Sequence, residues 1–598
     1  MEPRWALLIL ILTLPFALAL KKGKTAPQKK STPRENYFIK SSECRIRNVQ
    51  QMPTNATNNR QDADFSECYQ DYDLISTRFH DKYQRYLLHI NELLSQLIVG
   101  YSCSYLAIQR GTQIVRKEVP FRDGYVVPPE VEGMIASCSN SLGKVLQAKA
   151  LTFVQPRSGA RKAPKHRRHR KANVIMISMG AISRLNFRKN LPELGKHLQM
   201  EGWYEMQGYG SVGQGLMPNL MAILSGYSPD TWKNMECQSQ QFGCLDALPL
   251  IFDHFKRHGY LTAYGEDMSY QNPFAFATSS LDYYAQGMST EMPSNCLGRL
   301  LNIRYVYEFW QQYLEQHLPM GPAQPLFGLF RTNSWNYDLF EGGNILEPFV
   351  MEYFQRFIEL GLFKHSIVML FSDGGGGLAE SLLSMLFIWL PPWFRAKHPE
   401  AVQALKTNSQ LLTSPYDLHL TLRHIVELGE RWPQAVAELQ DCPKCQTLLA
   451  PMNESRTCPD VGIGDATCPC NTYKPLGSRK TRQLPLGELL VRGINDYLHQ
   501  RNLQELCSNL TLKAVTAVSV RVERQHPKSP HMDTYRVTFR AQPSRPEFAG
   551  TIRFDHKLQT MGDLNVGSIQ RLDPYRKDSE CMKKLTGKRF SASMPVLN

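Results

Sequence analysis

Residues Ala172–Arg184 read ANVIMISMGAISR. Within them Val174–Met179 (VIMISM) has five apolar residues out of six and no charge. A strand with one face in water alternates apolar and polar side chains. This run does not alternate, so it suits a strand covered on both faces, as in a parallel sheet. Four further runs have the same character: Tyr260–Tyr264 (YLTAY), Leu326–Phe330 (LFGLF), Ile367–Phe371 (IVMLF) and Met385–Leu390 (MLFIWL), the last stopped by Pro391-Pro392. Helical patterns fall between them, near Asn190–Met200 and over Glu347–Leu360. The alternation predicts an α/β core over residues 172–434, with a mainly parallel sheet covered by helices. Ligands of such sheets bind beyond the carboxyl ends of the strands, so the residues just after each run are the ones to read for chemistry.

On the amino-terminal side, Arg4 precedes the apolar run Trp5–Leu20, which ends in Ala17-Leu18-Ala19. At about 16 residues it is short for a membrane span of ~20. Its three-part pattern predicts a signal peptide over residues 1–19 and a secreted, extracellular protein. The alternative is an uncleaved type II membrane anchor, the one case in which a membrane would be a partner. The chain has 14 cysteines. In an exported chain these are expected to form disulfides, with Cys458, Cys468, Cys470, Cys507 and Cys581 as candidates. Cys442, Cys445, Cys468 and Cys470 could also be read as a zinc ribbon. Sequons at Asn55, Asn453 and Asn509 are candidate glycosylation sites.

The remaining organisation is read as a basic stalk (20–43), a cysteine-containing unit (44–156), a basic linker (157–171), a Cys-rich loop segment (435–485), and a carboxyl-terminal helix with a small antiparallel sheet (486–598). In the first unit Phe79, Tyr83, Leu87, Ile90 and Leu94 recur at helical spacing, which predicts a helix over Thr77–Ile98. In the last, Glu488–Leu503 reads as a helix and Ala514–Val522, Tyr535–Ala541 and Gly550–Phe554 as strands. The formal net charge is +15, but residues 21–34 hold six basic residues without an acid and residues 157–171 hold eight. The rest is nearly neutral, which excludes a basic folded face for nucleic acid. Polyanion binding, if any, is expected through 157–171.

Several segments resemble a known family, the secreted animal proteins called domain of unknown function 229, a branch of the alkaline phosphatase and sulfatase superfamily. They are Ser183-Arg184-Leu185-Asn186-Phe187, Pro218-Asn219-Leu220 with Leu224-Ser225-Gly226, Gly265-Glu266-Asp267, Ser372-Asp373-Gly374-Gly375, Leu412 through Leu422 (LTSPYDLHLTL), and Arg456-Thr457-Cys458 through Cys468-Pro469-Cys470. The resemblance implies an alkaline phosphatase-like core. It also implies a superfamily centre of two metal ions, often zinc, which hold a Thr or Ser nucleophile and the transferred phosphoryl or sulfuryl group.

The matching positions here lack that chemistry. Gly180 stands where the pattern has its first metal-binding Asp, Leu216 where it has the nucleophilic Thr, and Gly374 where Ser-Asp-His-Gly has its His. Asp373 remains as a ligand candidate, with Asp338 and Glu341 as looser ones. A leucine side chain cannot attack an ester, and glycine offers no side-chain ligand. Three such changes together imply a catalytically degenerate member that acts by binding an extracellular partner, with no cofactor. The alternative is an active phosphate- or sulfate-ester hydrolase or transferase with a rearranged site, which would need zinc or another divalent metal. Minor readings are Ser211 as a displaced nucleophile, Glu266-Asp267 as a helix-capping loop or a cation site, Gly208/Gly210/Gly213 as a turn, and Gly374–Gly377 as a turn or anion nest.

Overall fold

The computed structural model describes residues 37–47, 73–96, 100–108, 117–156, 170–180, 182–213, 216–228, 230–231, 249–267, 281–285, 296–297, 300–319, 324–332, 346–374, 383–477, 484–500, 507–522, 531–543, 545–562 and 569–572. At its centre is a seven-stranded sheet. Its strands are β1 (Asn173–Met179), β2 (Trp203–Glu205), β3 (Leu261–Glu266), β4 (Tyr283–Ala285), β5 (Leu326–Thr332), β6 (Ser366–Phe371) and β7 (Leu386–Trp389), in the order β2-β7-β6-β1-β5-β3-β4. The five strands from β6 to β4 are parallel, whereas β7 and β2 join antiparallel at one edge.

The unbroken apolar runs have the expected cause. Val174 and Met176 of β1 enter a core on one face of the sheet, and Ile175 and Ile177 enter a second core on the other. The covering helices include α1 (Arg184–Asn190), α2 (Pro192–His197), α3 (Leu216–Ser225), α4 (Ile251–Arg257), α5 (Asn302–His317), α6 (Leu346–Glu359) and α7 (Pro415–Leu428). The start of α7 is set by local chemistry. Ser414 caps it, Pro415 takes the first turn, where its missing N–H costs nothing, and Asp417 completes a capping box.

The described residues between 75 and 152 are mostly strands, which corrects the helix expected over Thr77–Ile98. Ile75–His80 and Arg85–Ile90 form a hairpin in which Phe79 faces Tyr86, and among the described residues of this region only Glu92–Gln96 is helical. The turn between the strands carries no glycine, and Gln84 itself takes a positive φ of 50°. Tyr86, Leu88 and Ile90 alternate inward, a period of two that the spacing of 79, 83, 87 and 90 obscures. This region docks on α5, where the Gln312 amide bonds the backbone of Thr152 and Val154 and the Gln316 amide donates to the Tyr86 hydroxyl.

Two expected boundaries also move. The stalk ends sooner than 43, because Tyr37–Lys40 pairs with Arg45–Arg47 and Ile39 is buried beside Cys44, Val461 and Ile463. At the end of the basic linker, Arg170 lies over the Trp393 ring and Lys171 pairs with Glu430, so these two cations belong to the core. The rest of the linker, 157–169, lies outside the described residues, as do the signal segment, Asn55 and Cys581. Asn453 and Asn509 are exposed. No described helix is long and apolar enough to cross a membrane.

The carboxyl-terminal part matches its reading. Helix α8 (Leu486–Gln500) lies on an antiparallel sheet of β8 (Thr511–Arg521), β9 (Met532–Gln542) and β10 (Glu547–Asp555), with Leu490 and Ile494 packed among Val537, Phe539 and Ile552. The cysteines form disulfides rather than a zinc ribbon. Cys442 bonds Cys445, Cys458 bonds Cys468, Cys470 bonds Cys44, and Cys103 bonds Cys138 across paired strands. Cys507 is disulfide-bonded as well. The Cys44–Cys470 bridge fastens the amino-terminal hairpin to the Cys-rich segment. Non-reducing peptide mapping should recover Cys44 linked to Cys470 and Cys458 linked to Cys468. A Cys468–Cys470 or Cys44–Cys458 linkage would contradict this arrangement.

Candidate functional site

The carboxyl ends of β1, β5, β6 and β3 meet at one edge of the sheet. Ser178 is in register with Arg331 across β1 and β5, and Arg331 is in register with Glu266 across β5 and β3. The edge is tied by backbone. Gly180 N–H donates to Thr332 O at 2.7 Å, and Thr332 Oγ1 donates to Ser178 O at 2.9 Å.

Here the structure supplies a residue that the sequence reading passed over. Arg331 is fully buried, and its Nε donates to Asp373 Oδ2 at 2.7 Å, while its Nη1 lies 3.9 Å from Glu266 Oε2. Glu266 and Asp373 are likewise at 0% exposure, and the Tyr264 hydroxyl donates to Glu266 at 3.1 Å. Burial opposes the arginine's charge, but attraction from Asp373, Tyr264 and Glu266 more than offsets this and holds the guanidinium above its usual range. Burial also pushes the Tyr264 hydroxyl well up, with Glu266 adding to the effect. The signal for Arg331 was present in LFGLFRT: a cation in an all-apolar buried strand needs an anionic partner.

Glu266 is the last residue of β3, and Asp267 after it is fully buried too; the segment that follows, and with it the expected helix cap, lies outside the described residues. Asp373 sits where it was expected, directly beyond β6, but its carboxylate is engaged by an arginine. Asp338 and Glu341 lie outside the described residues. Leu216 is the first residue of helix α3.

Arg331 competes with any cation for Asp373. A divalent ion on Asp373 would stand within about 4–5 Å of the guanidinium. At an effective dielectric of ~20 a unit pair at 4 Å is worth ~4 kcal/mol, so the repulsion would be roughly 8 kcal/mol. Gly180 and Gly374 contribute no side-chain ligand, so among the described residues the opposing attraction comes from Asp373, Glu266 and Asp267.

The other family-like motifs are structural. Ser183 caps α1 by accepting from Asn186 N–H, Arg184 binds Glu205, and Phe187 packs against Phe387. The Ser211 hydroxyl lies 2.9 Å from Asn219 Oδ1 and 2.7 Å from Gly213 O and has one proton to share between them; Asn219, in α3, also accepts from Val212 N–H, so Ser211 is held as part of this loop. Gly208 is needed for close approach, because a Cβ there would stand 2.2 Å from Leu411 O. Asp417 accepts from Ser414 N–H, Gln446 N–H and both terminal nitrogens of Arg456, which ties the start of α7 to the Cys-rich segment. His419 bonds Ile223 O through Nδ1, and a Cβ on Gly226 would meet its ring at 3.2 Å.

The sequence pattern of the family described as "Protein of unknown function (DUF229)" matches residues 61–516. The chain belongs to the DUF229 family. No curated protein matches it. Solved structures similar to this DUF229 chain include the lipoteichoic acid synthase LtaP from Listeria monocytogenes (11% identity, 51% of this chain and 77% of that one, TM-score 0.33). Another is the C-terminal periplasmic domain of EcEptC from Escherichia coli, in complex with Zn (10% identity, 47% and 87%, TM-score 0.34). A third is an alkaline phosphatase superfamily protein from Vibrio parahaemolyticus (13% identity, 70% and 85%, TM-score 0.31).

Two outcomes follow for this DUF229 chain. Removing one partner of a buried ion pair leaves an uncompensated charge, so Arg331→Met should lower unfolding free energy by about 3–5 kcal/mol in chemical denaturation. A loss below ~1 kcal/mol would show that the pair is dispensable. His419 gives the second. Burial lowers its pKa from 6.5 to about 4. Above pH 6.5 neither state binds the proton; between 6.5 and about 4 only the unfolded chain does, so stability falls as pH falls through that window. His419→Gln should flatten this limb by up to roughly 3 kcal/mol, at about 1.4 kcal/mol per pKa unit. An unchanged pH slope would refute the assignment.

Proposed function

We propose that the chain is a secreted, catalytically degenerate glycoprotein with an alkaline phosphatase-like core, acting by binding rather than by ester hydrolysis. The observation that carries this reading is the Arg331–Asp373 ion pair, with Glu266 on the same guanidinium. In an active centre of the superfamily type, two cations would clamp the attacking and leaving oxygens and lower the nucleophile's pKa. Here a fixed organic cation neutralises the carboxylate such an ion would use, and it cannot expose an open coordination position. The nucleophile position is a leucine, and the neighbouring ligand positions are glycines. What remains is a large, well-packed scaffold with a stapled Cys-rich edge, which supports a role in recognition by an extracellular partner. The basic segment ending at residue 169 is the part of the chain suited to a polyanion, through screened charge attraction.

Purified protein from a secreting cell line should hydrolyse neither phosphate nor sulfate esters above the uncatalysed rate, with or without added zinc or manganese. Asp373→Asn and Arg331→Met should change its stability and leave that null result unmoved. Sustained turnover abolished by Asp373→Asn would overturn the proposal and establish an active enzyme with a rearranged site.

A further inference from the structure

At the opposite, amino-terminal edge of the sheet, a second cluster answers to a different chemistry. Helix α4 carries His254, and His258 caps its carboxyl end one turn on, with the two ring centroids 4.5 Å from each other. Glu427, near the end of α7, brings Oε1 to 4.0 Å from His258 Nε2. One ligand atom from each of the three residues lies within 4.8 Å of the other two.

The hydrogen bonds set the protons as a metal requires. His258 Nδ1 is 2.7 Å from His254 O, and because a carbonyl can only accept, the proton is on Nδ1 and Nε2 keeps its lone pair. Donation from the far ring nitrogen to a carbonyl is the usual support of a metal-bound histidine. Glu427 uses Oε2 to accept from Gln434 N–H, which leaves Oε1 facing the histidines. Nε2 of His254 is buried and has no hydrogen-bond partner among the described residues. Burial, with smaller contributions from His258, Arg423, Arg257 and His419, depresses the His254 pKa to about 3, so this ring is neutral at physiological pH.

We infer that His254, His258 and Glu427 form a binding site for one divalent transition metal of the zinc class. Two imidazoles and one carboxylate suit such an ion, with water completing a tetrahedron. Zinc–ligand distances of ~2.0–2.2 Å put ligand atoms roughly 3.3–3.5 Å apart, so closure asks for side-chain movements of about 1 Å. His258 and Glu427 side chains are 26% and 14% exposed, which leaves an entrance from solvent. The surroundings both favour and oppose the ion. The carboxyl end of α4 presents its negative dipole to the ion. Arg257 and Arg423 oppose it, Arg423 also competing for Glu427, while Lys171, which donates to His258 O, is paired with Glu430.

The spacing His-x-x-x-His is that of metalloprotease helices, which place a general-base Glu directly after the first His. Here that residue is Phe255, fully buried and stacked on Phe327. The site therefore holds a metal without a base to activate water. Its role is a clamp between α4 and α7, separate from the carboxyl edge where Arg331 sits.

The test uses the full-length protein, stripped with chelator, dialysed against zinc or cobalt, and analysed for bound metal. One zinc per chain is expected, with a rise in melting temperature and a visible absorption band for bound cobalt. His254→Gln and His258→Gln should each remove the stoichiometric metal and the metal-dependent rise, while melting like the wild type in chelator. Glu427→Gln should weaken binding, and the exposed His365→Gln should bind as the wild type does. Failure of the wild type to take up zinc, or equal uptake by both histidine variants, would overturn the inference.

Discussion

The buried guanidinium of Arg331 is the constraint around which the carboxyl edge of the sheet is arranged. A charge with no solvent exposure persists only if its partners are fixed, and here β3, β5 and the residue beyond β6 each supply part of the answer. β5 lies beside β3 and is separated from β6 by β1, so the cluster depends on the register of four parallel strands. A slip of one residue between β3 and β5 would turn Glu266 to the other face and leave Arg331 with Asp373 alone. The same cation competes with any second, mobile cation for the Asp373 carboxylate. The integrity of this edge thus rests on one side chain and its fixed partners.

Motifs shared with the family divide into two groups once their contacts are known. Ser183, Arg184, Asn219, Gly226, Asp417, His419 and Arg456 hold helices, loops and the Cys-rich segment in place. Gly180, Leu216 and Gly374 are the positions on which the proposed loss of catalysis rests.

Much of the core was legible because strands buried on both faces leave an unambiguous trace, as β1, β5 and β6 do. The carboxyl-terminal helix and sheet were readable for a different reason, since one-sided burial gives alternation. The hairpin 75–90 was not, because its turn uses Gln84 in a conformation that glycine usually marks, and its apolar residues coincide with a helical period. Asp373 was found from the sequence, but its partner was not. A pattern shows which residues are acidic, whereas the pairing of Arg331 with a residue 42 positions away is a product of parallel strand register. The His254–His258–Glu427 cluster was hidden likewise, since its third member comes from a helix far along the chain.

The most direct test of the central claim is a crystal structure of the protein equilibrated with zinc, with anomalous scattering measured at the zinc edge. The account predicts Arg331 Nε bonded to Asp373 and no anomalous peak within coordination distance of that carboxylate. A peak on Asp373, with the Arg331 side chain swung away, would contradict it.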